Sequence, residues 1–550
     1  MKTTIFLTTI LLFCSALNIL GQQQKNDTIV VQTFTFDDIT KRRGVFQFPD
    51  NDERYAKIEM IRTIKCDEKT TLDKYPCGEW DYSTHTHLYV PLNDTTEEIF
   101  ELENFVTPYG KRLDLGPEGF TFVYDVTDYA PLLKGEVHLS TGNTAQLIDL
   151  KFNFIKGEPV RDVISIQNIY PWGHYTYEDL ADEKELKPVG LLMDPDASGY
   201  MLRARISGHG HFGPRNCCEW DSKTHTYFGN GKVLFRWNIW KNCGDNPIYP
   251  QGGTWQFDRA GWCPGTPVDT YDFELTRFVE PGDSLDLDYA IEMYKDNGEK
   301  GGYYIHSHQL FTYGAPNFKN DAAVSDIIAP SSKDEYSRIN PICTDPVIVI
   351  QNTGTNTLRS LLITYGIEGG TKYQHTWSGH LEFLDKETLT LPNIPWEEAE
   401  KNPHFVVQIS EPNSMADDNA ANNIMTSVVK LPPVMPSSFY LTLEANDKGR
   451  AHETSYTLTN AAGEIFYERA MLEDEQIYQE HFEQLPPGCY ELKVKDKAED
   501  GLIRHWWNRN SNPDNIGRNG RVALYDTDFN LIKELNYDFA EFERFRFRVK

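Results

Sequence analysis

The phrase Glu79-Trp80-Asp81-Tyr82-Ser83-Thr84-His85-Thr86 recurs as Glu219-Trp220-Asp221-Ser222-Lys223-Thr224-His225-Thr226, with Cys77 and Cys218 just upstream of the two copies. Six identities at fixed spacing point to two related units, and a repeat of this long period indicates paired domains and not a solenoid. Around the copies run short stretches in which apolar and polar residues alternate, at 28–36, 55–63, 87–90, 120–124, 136–140, 202–206, 234–240 and 284–293. Gly, Pro, Asn and Asp punctuate them. A period of two with such breaks is the pattern of antiparallel β structure. Helical periodicity is scarce, and 395–401 alone reads as a short helix.

Composition shifts divide the chain. Gly157-Glu158-Pro159-Val160 separates the halves of a core, and Gly314-Ala315-Pro316-Asn317 opens a new pattern. The expected order is a signal peptide at 1–21, one β unit at 22–158, a second at 159–316, an immunoglobulin-like β-sandwich at 317–432 and a C-terminal β domain at 437–550. A proline-rich linker joins the last two. Within the third part, strands are expected at 345–351 and 360–365. The leader reading rests on Lys2 and the mostly apolar stretch 5–20 before Gly21. That stretch is too short and carries too much Thr, Ser and Asn to read as a bilayer span. Lipidation at Cys14 is discounted because bulky Phe13 precedes it and the apolar run continues past it.

With 13% aromatic and 39% hydrophobic residues, the chain is globular and suited to β packing. A formal charge of −29 argues against a nucleic-acid partner, because phosphates would be repelled. Export permits disulfides among the eight cysteines beyond the leader. The local loops Cys66–Cys77 and Cys243–Cys263 are the natural pairings, and the lack of a Cys-x-x-Cys pair argues against structural zinc.

The echo also carries chemistry. Each copy sets a Glu and an Asp around a Trp, and on a strand residues two apart share a face. Carboxylates brought together at a domain junction raise at least one pKa and suit acid–base work near neutral pH. The structural alternative is a core Trp flanked by locally paired carboxylates. His85/His87, His209/His211 and His306/His308 are three His-x-His pairs, each expected on one strand face at a spacing that chelates a transition metal. A single such pair is more often a hydrogen-bonded surface feature.

Further residues carry a resemblance. Ile206-Ser207-Gly208-His209-Gly210-His211, Cys217-Cys218-Glu219-Trp220 and the run Asp258-Arg259-Ala260-Gly261-Trp262-Cys263-Pro264-Gly265 resemble the second half of the peptide-N-glycosidase F family. Cys77-Gly78-Glu79-Trp80-Asp81 and Phe105-Val106-Thr107-Pro108-Tyr109 resemble its first half, so the likeness covers roughly residues 28 to 315. It implies two packed antiparallel eight-stranded jelly rolls with the site at their junction. The implied activity is hydrolysis of the amide between asparagine and the innermost N-acetylglucosamine of N-linked glycans. The enzyme would be secreted or at the bacterial cell surface or periplasm, monomeric, and active on N-glycosylated proteins and glycopeptides. Asp81 stands at the principal catalytic position and Glu219 at that of a supporting, water-binding glutamate. Glu79, Trp220, Arg259, Trp262 and His209 are the expected substrate-binding residues.

Three departures accompany the resemblance. Gly142 stands where the family has a second glutamate, His209 replaces an active-site Trp, and Asp221 replaces a disulfide cysteine, leaving Cys217 and Cys218 to bridge each other or distant cysteines. The family requires no cofactor. The lost Glu and the gained His nevertheless suggest a divalent metal, zinc or similar, held by His209 and His211 with His85 or His87. Trp506 and Trp507 are candidates for sugar stacking in the last domain. The alternative functions are a copper-dependent jelly-roll monooxygenase, a glycoside hydrolase with paired carboxylates, and a degenerate glycan-binding adhesin.

Overall fold

A computed structural model describes residues 28–37, 42–69, 73–142, 146–211, 217–293, 301–505 and 517–550. The expected leader, Cys14 and the pair Trp506 and Trp507 lie outside the described residues. The fold is all-β, with 49% strand against 5% helix.

Eight strands make the first unit: β1 (Thr28–Phe34), β2 (Arg43–Gln47), β3 (Tyr55–Cys66), β4 (Ser83–Pro91), β5 (Glu97–Val106), β6 (Phe120–Asp125), β7 (Glu136–Thr141) and β8 (Gln146–Lys156). They form antiparallel sheets in the orders β1-β8-β3-β6 and β5-β4-β7-β2. The second unit contains β9 (Arg161–Thr176), β10 (Val189–Leu192), β11 (Gly199–His209), β12 (Thr224–Gly229) and β13 (Lys232–Asn238). A two-residue strand, β14 (Thr266–Pro267), precedes β15 (Thr270–Glu274), β16 (Ser284–Ile291) and β17 (Tyr303–Pro316). Its sheets run β9-β17-β11-β15 and β13-β12-β16-β10. Leaving out β14 and counting strands within each unit, the two orders are the same. The echoed phrase therefore leads into the fourth strand of its own sandwich in both cases.

Strand alternation is plain in β3, where Ile58, Met60, Arg62, Ile64 and Cys66 point inward. By contrast, all of β11 is buried, because both of its faces are covered. Tyr200, Leu202, Ala204 and Ile206 fill the core of the second unit, while Met201 joins the core of the first. Arg205 reaches across to the Glu101 carbonyl at 2.9 Å and the Tyr129 hydroxyl at 3.2 Å. β14 completes the junction by pairing with the end of β5, Thr266 opposite Val106 and Pro267 opposite Phe105.

Residues 322–428 form a three-stranded and a four-stranded sheet around Trp377, Trp396 and Phe405. Residues 439–549 form two four-stranded sheets around Phe439, Tyr456 and Phe547. The helix expected near 395 is a 3-10 turn, Trp396–Glu400, whose Trp396 is a core residue. An unforeseen α-helix, Tyr177–Ala181, is too short to show a period and starts where Thr176 Oγ1 accepts from the Asp179 N–H. Disulfides join Cys66–Cys77 and Cys243–Cys263, as their local loops suggest. Cys217 and Cys218 bridge each other, and Cys343 and Cys489 link the third and fourth sandwiches.

The last sandwich is anchored to the second unit and to a loop of the first. Asp538 is buried, accepts from Arg112 Nε and Nη2 at 3.0 and 2.7 Å, and accepts from Trp255 Nε1 at 3.2 Å. Tyr249 donates to Glu543 at 2.9 Å. Arg338 of the third sandwich donates to the carbonyls of Asn246 and Phe542 at 3.0 and 2.7 Å, so that three units meet there.

Candidate functional site

Two turns carry the leading carboxylates. The Cys66–Cys77 disulfide ties the end of β3 to the turn before Glu79. Gly110 N–H donates to the Gly78 carbonyl at 2.8 Å, and a Cβ at Gly110 would lie 2.2 Å from that oxygen, so only glycine permits the approach. Tyr82 N–H donates to Thr107 Oγ1 at 2.8 Å, and Thr107 N–H returns to the Tyr82 carbonyl at 2.9 Å. In the second unit the Cys217–Cys218 disulfide precedes Glu219. Glu219 N–H donates to the Gly210 carbonyl at 2.9 Å, and the Glu219 carbonyl accepts from Ala260 N–H at 3.0 Å.

Arg259 is the charge around which these turns are organised. It is fully buried. Its Nε donates to Glu219 Oε1 at 3.0 Å, Nη1 to the Phe257 carbonyl at 2.6 Å, and Nη2 to the Thr254 carbonyl and hydroxyl at 2.8 and 2.9 Å. The guanidinium lies over the rings of Trp220 and Trp262, 4.3 and 4.9 Å from their centroids, a cation–π arrangement. Burial pushes Glu219 up to about 7; Arg259 opposes the rise and the Asp81 charge adds to it. Burial also raises Asp81 above the usual carboxylate range, with the Arg259 charge and a hydrogen bond from Tyr109 pulling it back. Burial, then the charges of Glu219 and Asp81, raise the Tyr303 phenol. Asp81, Glu219, Tyr109 and Tyr303 thus share one electrostatic environment around Arg259.

The echo is used asymmetrically. Asp81 of the first copy and Glu219 of the second both feel Arg259. Their counterparts are paired with lysines: Glu79 with Lys74 Nζ at 3.3 Å, and Asp221 with buried Lys223. The expectation that Glu79 and Asp81 share a strand face is corrected, because β4 begins at Ser83 and pleat alternation does not govern the turn before it. Trp220 is half-buried beside Phe257, whereas Trp80 of the first copy is exposed.

Trp262 is buried and donates Nε1–H to the Gly208 carbonyl at 2.8 Å. His209 stacks with both Trp262 and Tyr303, at centroid distances of 5.1 and 5.4 Å. Its Nε2 lies 2.8 Å from Ser207 Oγ and 3.5 Å from Ser83 Oγ. Burial, chiefly, brings its pKa down to about 3. Gly142 N–H donates to the His85 carbonyl at 3.0 Å, and a Cβ there would lie 2.5 Å from Thr84 Cβ. The backbone has closed over the place where the family's second glutamate was expected.

The histidine pairs separate into three cases. His85 and His87 do share a face and stack at 5.1 Å. His306 and His308 also share a face, but in the core of the second unit, where His306 Nδ1 is 2.9 Å from His308 Nε2. His209 and His211 are parted: β11 ends at His209, Gly210 turns with φ +79°, and His211 is exposed while His209 is buried. The ligand set drawn from His209 and His211 together with His85 or His87 is therefore not what the strands assemble. Among the described residues, the histidine-containing group of three whose ligand atoms lie within 4.8 Å of one another is His85, His87 and Glu101. Glu101, like Tyr109 and Tyr303, was not singled out from the sequence. Tyr109 lies within a motif quoted for the resemblance, but Glu101 carried no sequence signal.

A cleft of about 770 Å³ lies between the first three units, lined in part by Arg161, Arg203, Lys241 and Asp272. Those four are already matched, Arg203 with Asp128 and Asp272, Arg161 with Glu274, and Lys241 with Asp269.

Known proteins align with this part of the chain. The family described as Peptide-N-glycosidase F, C terminal, matches residues 176–311. The peptide-N(4)-(N-acetyl-beta-D-glucosaminyl)asparagine amidase F of Elizabethkingia miricola is 30% identical over 274 residues, which are 47% of this chain and 74% of the relative. The solved structure of PNGase F, a glycosylasparaginase from Flavobacterium meningosepticum, is 27% identical, covers 52% of this chain and 96% of its own, and has a TM-score of 0.44. A solved recombinant peptide N-glycanase F has the same identity and coverage with a TM-score of 0.43. The chain belongs to the peptide-N-glycosidase F family.

Proposed function

We propose that the protein hydrolyses the amide between asparagine and the innermost N-acetylglucosamine of N-linked glycans, leaving aspartate and a glycosylamine. The observation that carries this reading is the buried Arg259 acting on one carboxylate from each half of the echo, Glu219 by a direct hydrogen bond and Asp81 through its charge. Asp81 acts on the amide carbonyl as base or nucleophile-like carboxylate. Glu219, with its titration near neutrality, orients water in its ionised form. Arg259 holds Glu219 and supplies fixed positive charge where negative charge develops. Half-buried Trp220 offers a flat surface for a sugar, and the buried stack of Trp262 and His209 backs it. General acid–base assistance of this kind is worth about 10²–10⁴-fold.

The substrates would be N-glycoproteins and glycopeptides met outside the cytoplasm by a monomeric enzyme. Four disulfides support such a compartment. Among the described residues, no helix is long and apolar enough to cross a membrane. One observation favours a binding-only protein instead, the closed backbone at Gly142 that leaves no room for a third carboxylate. Mass spectrometry of a defined N-glycopeptide separates the readings. Conversion of Asn to Asp by the wild type, lost in Asp81→Asn, is the expected result. A peptide that keeps one N-acetylglucosamine identifies a glycosidase, and an unchanged glycopeptide that still binds identifies an adhesin.

A further inference from the structure

Leu102 is the extra residue of a β-bulge. β4 and β5 pair Thr86 with Glu103 and His87 with Glu101, so two residues of β4 face three of β5. On a regular strand, Glu101 and Glu103 would point the same way. The bulge parts them. Glu103 stays on the face of Thr84 and Thr86, where it accepts from Thr86 Oγ1 at 3.0 Å and pairs with buried Arg62. Glu101 is turned to the opposite face, and its Oε1 meets His85 Nδ1 at 2.7 Å. Bulges recur where a strand must re-aim a side chain.

What results is a compact group of two imidazoles and one carboxylate, with ligand atoms within 4.8 Å of one another. Trp172 lies edge-on to both imidazoles at 5.1 and 4.9 Å. The Glu101 backbone is pinned by Arg205 and Tyr129, each donating to its carbonyl at 2.9 Å, so the carboxylate sits on a fixed base. Two buried atoms of the group, His87 Nε2 and Glu101 Oε2, have no hydrogen-bond partner. Leaving such atoms unpaired is costly, and a cation shared by the group would satisfy both. His85 keeps 11% of its side chain exposed, which gives an approach from solvent.

We propose that His85, His87 and Glu101 bind a divalent transition-metal ion of the zinc class, with a further coordination position open on the His85 side. Imidazole nitrogens with a single carboxylate suit zinc or a neighbouring first-row metal, whereas calcium and magnesium take oxygen ligands. In the second copy of the echo, Tyr227 stands where His87 stands in the first, so the pair of imidazoles belongs to the first copy alone. The ion braces β4 against β5, tying His85 and His87 of the one strand to Glu101 of the other.

The test is the zinc content of full-length protein after dialysis, together with the visible absorption of Co²⁺ added to zinc-free protein. Stoichiometric zinc is expected in the wild type and equally in Asp81→Asn, whatever the glycopeptide assay shows. Glu101→Gln and His87→Gln are expected to weaken binding by at least the roughly 10–100-fold that even outer partners of a metal site contribute. Both should also lose the Co²⁺ bands. A wild type that holds no more zinc than Glu101→Gln, or that gives no Co²⁺ bands, overturns the site.

Discussion

Arg259 Nε donates to Glu219 Oε1 at 3.0 Å, although the arginine is fully buried and the glutamate keeps 15% of its side chain exposed. The other guanidinium nitrogens are spent on the carbonyls of Phe257 and Thr254, so the positive charge cannot swing away. A lysine has neither the fork nor the planar face that lies over Trp220. Arg259→Lys should therefore reduce turnover of an N-glycopeptide by about 10²–10³-fold, the range for loss of one preorganised donor. Steady-state kinetics beside a thermal melt will show whether the loss is catalytic or one of folding.

Glu219 titrates near pH 7 in the folded protein against an ordinary value of 4.5. If its ionised form orients water, log turnover falls by one unit per pH unit on the acid side of about 7. The charge of Asp81 is one cause of the rise, so Asp81→Asn should move the Glu219 titration to lower pH, which carboxyl-carbon NMR can follow.

Linkage gives the same carboxyl a stability signature. Because its folded pKa is raised, its favourable contribution is complete below 4.5 and is lost as pH rises through about 7. The stability of wild type relative to Glu219→Gln should decline across that window and level off above it, as read from urea unfolding at fixed pH values.

Restoring a side chain at Gly142 should harm the fold and not repair the site. A Cβ would sit 2.5 Å from Thr84 Cβ and 2.9 Å from Thr84 Cα. Gly142→Ala is expected to cost about 1–3 kcal/mol, as overpacking does. Gly142→Glu should cost at least as much without raising activity. Thermal unfolding with the glycopeptide assay checks both.

The Cys343–Cys489 bridge spans 146 residues and ties the third sandwich to the fourth. Replacing both cysteines by serine should destabilise the C-terminal half by about 2–4 kcal/mol. Limited proteolysis should then cut near the proline-rich linker sooner than in the wild type.

The all-β fold and the pairing of two units were legible because the echo and the period-two stretches are local patterns. Asp81 and Glu219 stood out as members of the echo, and their roles, like Arg259 itself, came from the family resemblance that the quoted phrases carry. The fate of the rest depends on contacts between residues distant in the chain. Nothing in the first copy says that Glu79 will be taken by Lys74 while Asp81 is left to Arg259. His209 and His211 look like their sister pairs until Gly210 turns the chain with φ +79°. Glu101 was invisible because its direction is set by a bulge, and a bulge is a relation between two strands. Arg205 in β11 reads as a surface charge in an alternating stretch, yet it is buried because another sandwich covers that face.

Asp538 offers one carboxylate to both Arg112 and Trp255. Arg112 follows Tyr109 by three residues; the Tyr109 N–H donates to Gln251 Oε1 at 2.9 Å, and its phenol lies in the field of Asp81. The final sandwich is thus a keystone and not a portable attachment. A chain shortened after the linker would bare the indole of Trp255 and strip Arg112 of its carboxylate partner, so the first two units are expected to need that seat rebuilt before they stand alone.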